Sequence, residues 1–121
     1  MKLISWMVVA SLIIIGCQKK AEKKAVNVET MKTIIENYIK QNSTPEGTFA
    51  LEDTVEGKTW QLVYDYVHET VNKTEDGRYS ACVDMVEGEN RLDVDVYVKK
   101  ADDKLKVDEI KIHKVNGVSR W

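Results

Sequence analysis

The apolar positions of the chain change their period once. Val28, Met31, Ile34, Ile35, Tyr38 and Ile39 recur at spacings of three and four, with Glu29, Lys32, Glu36 and Lys40 between them. This pattern predicts one amphipathic helix over 28–41 with a single buried stripe. Asn27 is placed to cap it, and Asn42, Ser43 and Thr44 before Pro45 close it, because proline cannot continue a helix and pushes its predecessor toward extended geometry. After Pro45 the period becomes two, and strands are expected over 48–53, 59–71, 78–86, 91–100 and 105–115, separated by turns rich in Gly, Asn and Asp. In the second strand Trp60, Leu62, Tyr64 and Tyr66 share one face and Gln61, Val63, Asp65 and Val67 the other, a pattern that fits burial on both sides. The fourth strand alternates Leu92, Val94, Val96 and Val98 with Arg91, Asp93, Asp95 and Tyr97. In the last strand the phase slips by one between Leu105, Val107 and Ile110, Ile112, which predicts a β-bulge near Asp108-Glu109.

One helix followed by about five antiparallel strands on short turns is an α+β arrangement, with the helix packed on a curved sheet. This order resembles the cystatin-like and NTF2-like class of small domains over residues 28–121. The resemblance is one of topology, so it implies a fold and transfers no function. A protease-inhibitor-like activity rests on that topology alone.

The first segment has a different character. Lys2 precedes an apolar run over 3–15, broken by Ser5 and Ser11 and ended by Gly16 and Cys17. The run is shorter than the roughly 20 residues needed to cross a bilayer and reads as a signal peptide. Ile14-Ile15-Gly16-Cys17 resembles the lipobox of bacterial lipoproteins. That resemblance implies removal of residues 1–16 and acylation of Cys17 by a diacylglycerol and an N-acyl chain, because one acyl chain alone binds membranes only marginally. Gln18, in place of an Asp, implies delivery to the periplasmic side of the outer membrane in a Gram-negative cell. Lys19, Lys20, Lys23 and Lys24 stand against Glu22 with no apolar period. Residues 17–26 therefore read as the lipidated Cys and a basic tether, and 27–121 as one domain.

Charge and length narrow the function. With 121 residues there is room for one small domain. Setting aside the five lysines and one glutamate before Ala25 leaves 13 basic against 19 acidic residues, a net charge of −6. That excludes the basic footprint of a nucleic-acid binder. With Cys17 acylated, Cys82 has no partner for a disulfide, and its place in mid-strand predicts a small buried hydrophobe. Gly57-Lys58-Thr59 is not a phosphate-binding loop, since Glu52 occupies the earlier glycine position and strands follow. His68-Glu69 is not a zinc-protease motif, since Asn72 stands where the second His is required.

One constellation carries chemistry. A four-residue turn over 87–90 sets Val86 opposite Arg91, Asp84 opposite Asp93 and Cys82 opposite Asp95. The next hairpin, with its bulge, sets Asp93 opposite His113 and Asp95 opposite Lys111. Opposed acids destabilise a ladder unless something neutralises them. Asp84, Asp93 and His113 together form a ligand set suited to zinc or manganese. The competing reading is a solvated face on which His113 and Lys111 relieve the acidic crowding. Tyr97 and Trp121 are expected as exposed anchors of an interaction surface. No spacing brings a nucleophile, a base and an orienting group together. The sequence thus predicts a membrane-anchored envelope lipoprotein with a non-catalytic binding or structural role, an envelope protein as partner and no cofactor. Metal or small-ligand binding at Asp84, Asp93 and His113 is the alternative.

Overall fold

A computed structural model of the chain describes residues 26–121. The residues read above as a signal peptide, a lipobox ending in Cys17 and most of a tether, up to residue 25, lie outside the described residues. Helix α1 (Val28–Gln41) opens where predicted: the Asn27 side chain accepts a hydrogen bond from the Thr30 N–H at 2.8 Å, with Glu29 in the first turn and Lys40 in the last to match the helix dipole. A helix of 14 residues is marginal by itself in water, so packing decides its stability. Met31, Ile35 and Ile39 are buried against the sheet, and truncating any of them to Ala removes about 2–5 kcal/mol. Glu36 departs from its expected exposure, because it accepts a hydrogen bond from the half-buried Tyr64 hydroxyl.

Strands β1 (Phe49–Asp53), β2 (Lys58–Lys73), β3 (Tyr79–Glu87), β4 (Asn90–Ala101), β5 (Lys104–Val115) and β6 (Val118–Ser119) form one antiparallel sheet in chain order. The five expected strands are present to within two residues at each end. The two-residue β6 is an addition, made by an Asn116-Gly117 turn with both residues at positive φ (51° and 84°). That is the turn whose twist suits a two-residue hairpin. Asn116 also fastens the turn to β4, its side-chain oxygen accepting from the Arg91 N–H at 2.8 Å.

Four irregularities bend the sheet, one of them in β2 between Val67 and Val71, and the other three reset which side chains face the core. In β2, Asp65 is an extra residue between the pairs Tyr64–Met85 and Tyr66–Asp84. It turns Val67 inward and Tyr66 outward, so β2 is not covered on both sides: Val63 and Tyr66 are exposed. In β5, Asp108 is extra between Val98–Val107 and Tyr97–Glu109, the bulge predicted from the phase slip. A second extra residue in β5, His113, lies between Val94–Ile112 and Asp93–Lys114. The core then combines the α1 stripe with Phe49, Trp60, Leu62, Val83, Met85 and the inward row of β4 from Leu92 to Val98. No helix among the described residues is long and apolar enough to cross a membrane.

The two edges of the sheet are joined by side chains. Asp53, at the end of β1, is 2% exposed and accepts from the Arg120 guanidinium at 3.0 and 2.9 Å, from Trp60 Nε1 at 2.9 Å, and from the N–H groups of Val55 and Glu56 at 3.0 and 3.2 Å. Arg120 follows β6, at the opposite edge. Its guanidinium holds the Asp53 carboxyl well below the ordinary value of 3.8, against the opposing effect of burial and with help from Trp60 and the two backbone donors. Replacing Asp53 with Asn leaves Arg120 with Glu56 as its one remaining counter-charge among the described residues and is expected to lower the urea midpoint at neutral pH. Because the folded-state value lies below the unfolded one, this stabilisation is fully present above about pH 5 and fades as pH falls toward the folded value. The acid limb of the stability curve will therefore be shallower in D53N than in the native chain.

Candidate functional site

The face of the sheet turned away from α1 carries both histidines of the chain. β3 and β4 pair in the predicted register: Val86 opposes Arg91, Asp84 opposes Asp93 and Cys82 opposes Asp95. Asp95 also opposes Lys111 as predicted, but Asp93 opposes Lys114 and not His113. The second bulge in β5 is the reason. Ile110, Ile112 and Val115 all pack on the core, and the three-residue step from Ile112 to Val115 fits an alternating strand only if one residue is taken out of register. His113 is that residue. The expected set Asp84, Asp93 and His113 is therefore not brought together, and two other groups are: His68 with Asp84 and Asp93, and Cys82 with Asp95 and His113.

In the first group His68 comes from β2, from a stretch where His68, Glu69 and Thr70 stand against the single Cys82 between the pairs Val67–Val83 and Val71–Ala81. Its ring stacks on Tyr66, with centroids 5.0 Å apart and planes 9° from parallel, and its Nε2 lies 2.7 Å from Asp84 Oδ1. Arg91 Nη1 donates to Asp84 Oδ2 and to Asp65 Oδ2, both at 2.9 Å. Burial of Asp84 works against its ionised form, yet hydrogen bonds from His68 and Asp93 and the charges of His68 and Arg91 outweigh it and hold the carboxyl low. Asp93 moves the other way: burial, then the hydrogen bond and charge of Asp84, push it up against the pull of His68 and Lys114. The two opposed acids diverge, as carboxylates that share one site must.

In the second group Asp95 is the centre. The Cys82 thiol donates to Asp95 Oδ1 at 3.4 Å, and His113 Nδ1 lies 3.6 Å from Asp95 Oδ2. His113 stacks on Trp121, with centroids 4.9 Å apart and planes 8° from parallel. Burial, then the hydrogen bond and charge of Asp95, push the Cys82 thiol up to about 12. A nucleophilic cysteine needs an imidazole beside the sulfur and the acid behind the imidazole. Here the acid touches both, which keeps the sulfur protonated and works against attack.

The two expected anchors differ. Trp121 is exposed, and with Val55 it borders a groove at the seam where β1 approaches β5, floored by Leu51, Ile110 and Ile112. Tyr97 is half-buried, with the Arg78 guanidinium 4.5 Å above its ring and Lys111 Nζ at 5.6 Å on the same ring. Sequence reasoning missed His68, whose placement depends on the Asp65 bulge and the irregularity after Val67. The step from Ile112 to Val115 was the available signal for His113. Comparison with family models, curated proteins and solved structures finds no match for this chain.

Asp93 is the acid whose ionised form the face disfavours. Asp93→Asn is expected to raise stability at neutral pH by about 0.5–1 kcal/mol, the scale of a relieved cross-strand repulsion. Since the folded value of Asp93 lies above its unfolded value, the native carboxyl is favourable below the unfolded value and loses that advantage as pH rises through the folded one. The gain of D93N in urea unfolding will therefore shrink as pH is lowered from 7 into the carboxylate range.

Proposed function

We propose that this protein is a lipid-anchored component of a bacterial cell envelope, and that its α+β domain, of cystatin-like or NTF2-like topology, binds an envelope protein partner and performs no catalysis. Ile14-Ile15-Gly16-Cys17 supports the anchor, with Cys17 as the acylated residue and the basic tether spacing the domain from the bilayer. Gln18 favours the inner leaflet of the outer membrane where the cell is Gram-negative.

The observation that carries the binding role is the exposed Trp121 at the rim of the seam groove, 65% exposed, with Val55 at 73% on the same groove. A Trp held by stacking on His113 yet open to solvent is a rigid amphipathic anchor of the kind that dominates binding energy at interfaces. Tyr97, already packed under Arg78, belongs to the rim and not to the anchor. Asp95 sitting between Cys82 and His113 supports a non-catalytic reading, since it opposes thiolate formation.

Native mass spectrometry of the full chain, gently extracted from its own membranes, tests both halves. The expected species starts at Cys17, carries the added mass of a diacylglycerol and an N-acyl chain, and retains a protein partner that Trp121→Ala releases. Recovery of the chain in the soluble fraction with a free Cys17 thiol would overturn the anchor. Retention of the partner by W121A would overturn the surface.

A further inference from the structure

We infer that Cys82, Asp95 and His113 form a zinc site on the outer face of the sheet, with the fourth tetrahedral position open to water or to a donor from another molecule. This goes beyond the envelope-binding reading and does not depend on it.

The geometry is that of a cluster already close to coordination. One donor atom from each residue lies within 4.8 Å of the others. Asp95 reaches both partners through different oxygens, Cys82 Sγ lying 3.4 Å from Oδ1 and His113 Nδ1 3.6 Å from Oδ2, so closure on an ion requires the three donors to draw together from within 4.8 Å. A tetrahedral zinc with bonds of about 2.3 Å to sulfur and about 2.0–2.2 Å to nitrogen and oxygen sets its donors roughly 3.3–3.6 Å apart. Three residues from three adjacent strands supply the set, so the sheet ladder fixes its spacing.

The donor chemistry selects the ion. A thiolate and an imidazole favour zinc over magnesium or calcium, which take oxygen ligands. Without an ion, burial and Asp95 keep the sulfur protonated; with one, its two positive charges reverse that preference, the Cys82 S–H bond breaks, a sulfur–zinc bond forms and the proton passes to solvent. The thiolate and the Asp95 carboxylate together balance the two positive charges, and His113 binds as the neutral imidazole. Three protein ligands with one open position is the arrangement of zinc sites that accept an exchangeable ligand.

Two features of the fold aim the third ligand. The bulge at His113 lifts that residue out of register with Asp93 and turns it toward Asp95 and Cys82, a known use of bulges beside functional sites. Trp121 stacks flat on the imidazole and restrains its plane. The neighbouring group of His68, Asp84 and Asp93 lies as close together but has a guanidinium in it: His68 takes one oxygen of Asp84 and Arg91 the other. Among the described residues Asp95 makes no ion pair with a Lys or Arg.

The test is a Co²⁺ titration of the full-length protein, purified in detergent and stripped of metal, followed by competition with Zn²⁺. Tetrahedral coordination with one thiolate is expected to give visible d–d bands of high intensity and a sulfur-to-cobalt charge-transfer band, both erased by stoichiometric Zn²⁺ and unaffected by excess Mg²⁺. His113→Gln and Cys82→Ser should each weaken Zn²⁺ binding by more than about 100-fold, since outer-shell changes alone cost about 10–100-fold. Cys17→Ser and His68→Gln should leave the spectrum unchanged. The absence of a charge-transfer band in the native chain overturns the site, as does a band that survives C82S or disappears in C17S. Because C82S alters a half-buried position, H113Q at the bulge is the second criterion: a folded H113Q that binds Zn²⁺ at native affinity overturns the assignment.

Discussion

Asp53 is a buried carboxylate at the end of the first strand, and the guanidinium that neutralises it follows the last one, 67 residues later. A six-stranded sheet with strands in chain order has its two edges as far apart as the topology allows. Bidentate pairing between these edges therefore demands that the sheet curl, which gives α1 a concave apolar surface on which to lie. Five hydrogen bonds converge on this one carboxylate, so the ion pair is fully satisfied in its buried setting. The edges themselves are short, five residues in β1 and two in β6, which limits the unpaired backbone they offer to other chains.

Curvature of this degree is produced by the bulges, and the same bulges assemble the outer face. Each extra residue keeps the apolar set on the core while shifting the polar set by one position. Asp65 moves Tyr66 outward beside His68, and His113 moves from the Asp93 row to the Cys82 row. Hydrophobic burial acts on the inward side chains and is worth far more than any single polar contact on the solvent side. The arrangement of the histidines is thus a by-product of core packing in its origin, and a defined constellation in its result: each imidazole is stacked on an aromatic ring and faces a carboxylate.

The polar face also shows how position changes the chemistry of like groups. Asp84 and Asp93 are opposed across one ladder, yet the first is held ionised by His68 and Arg91 and the second is pushed toward its protonated form. Asp95 does for Cys82 what Asp84 does for Asp93, raising the group beside it. A face in which each acid already has a hydrogen-bonded neighbour is suited to recognition by pairing and stacking.

By itself the sequence determined the helix and the first five strands. The three-and-four spacing from Val28 to Ile39, the Asn27 cap and the alternation from Leu92 to Val98 are local patterns, and each element lies where its pattern places it. Turn residues set the register of β3 on β4, which makes the Asp84–Asp93 and Cys82–Asp95 pairs legible in the order of the amino acids alone. The slip before Ile110 announces the Asp108 bulge. Only the tertiary structure decided which residues meet across more than one ladder. A one-residue register change flips every side chain beyond it, so the bulge at His113 was enough to exchange its partners, while the Asp65 bulge and the irregularity after Val67 together set His68 beside Asp84. The Asp53–Arg120 pair had no local signal at all, because the two residues come together only once the whole sheet has curled.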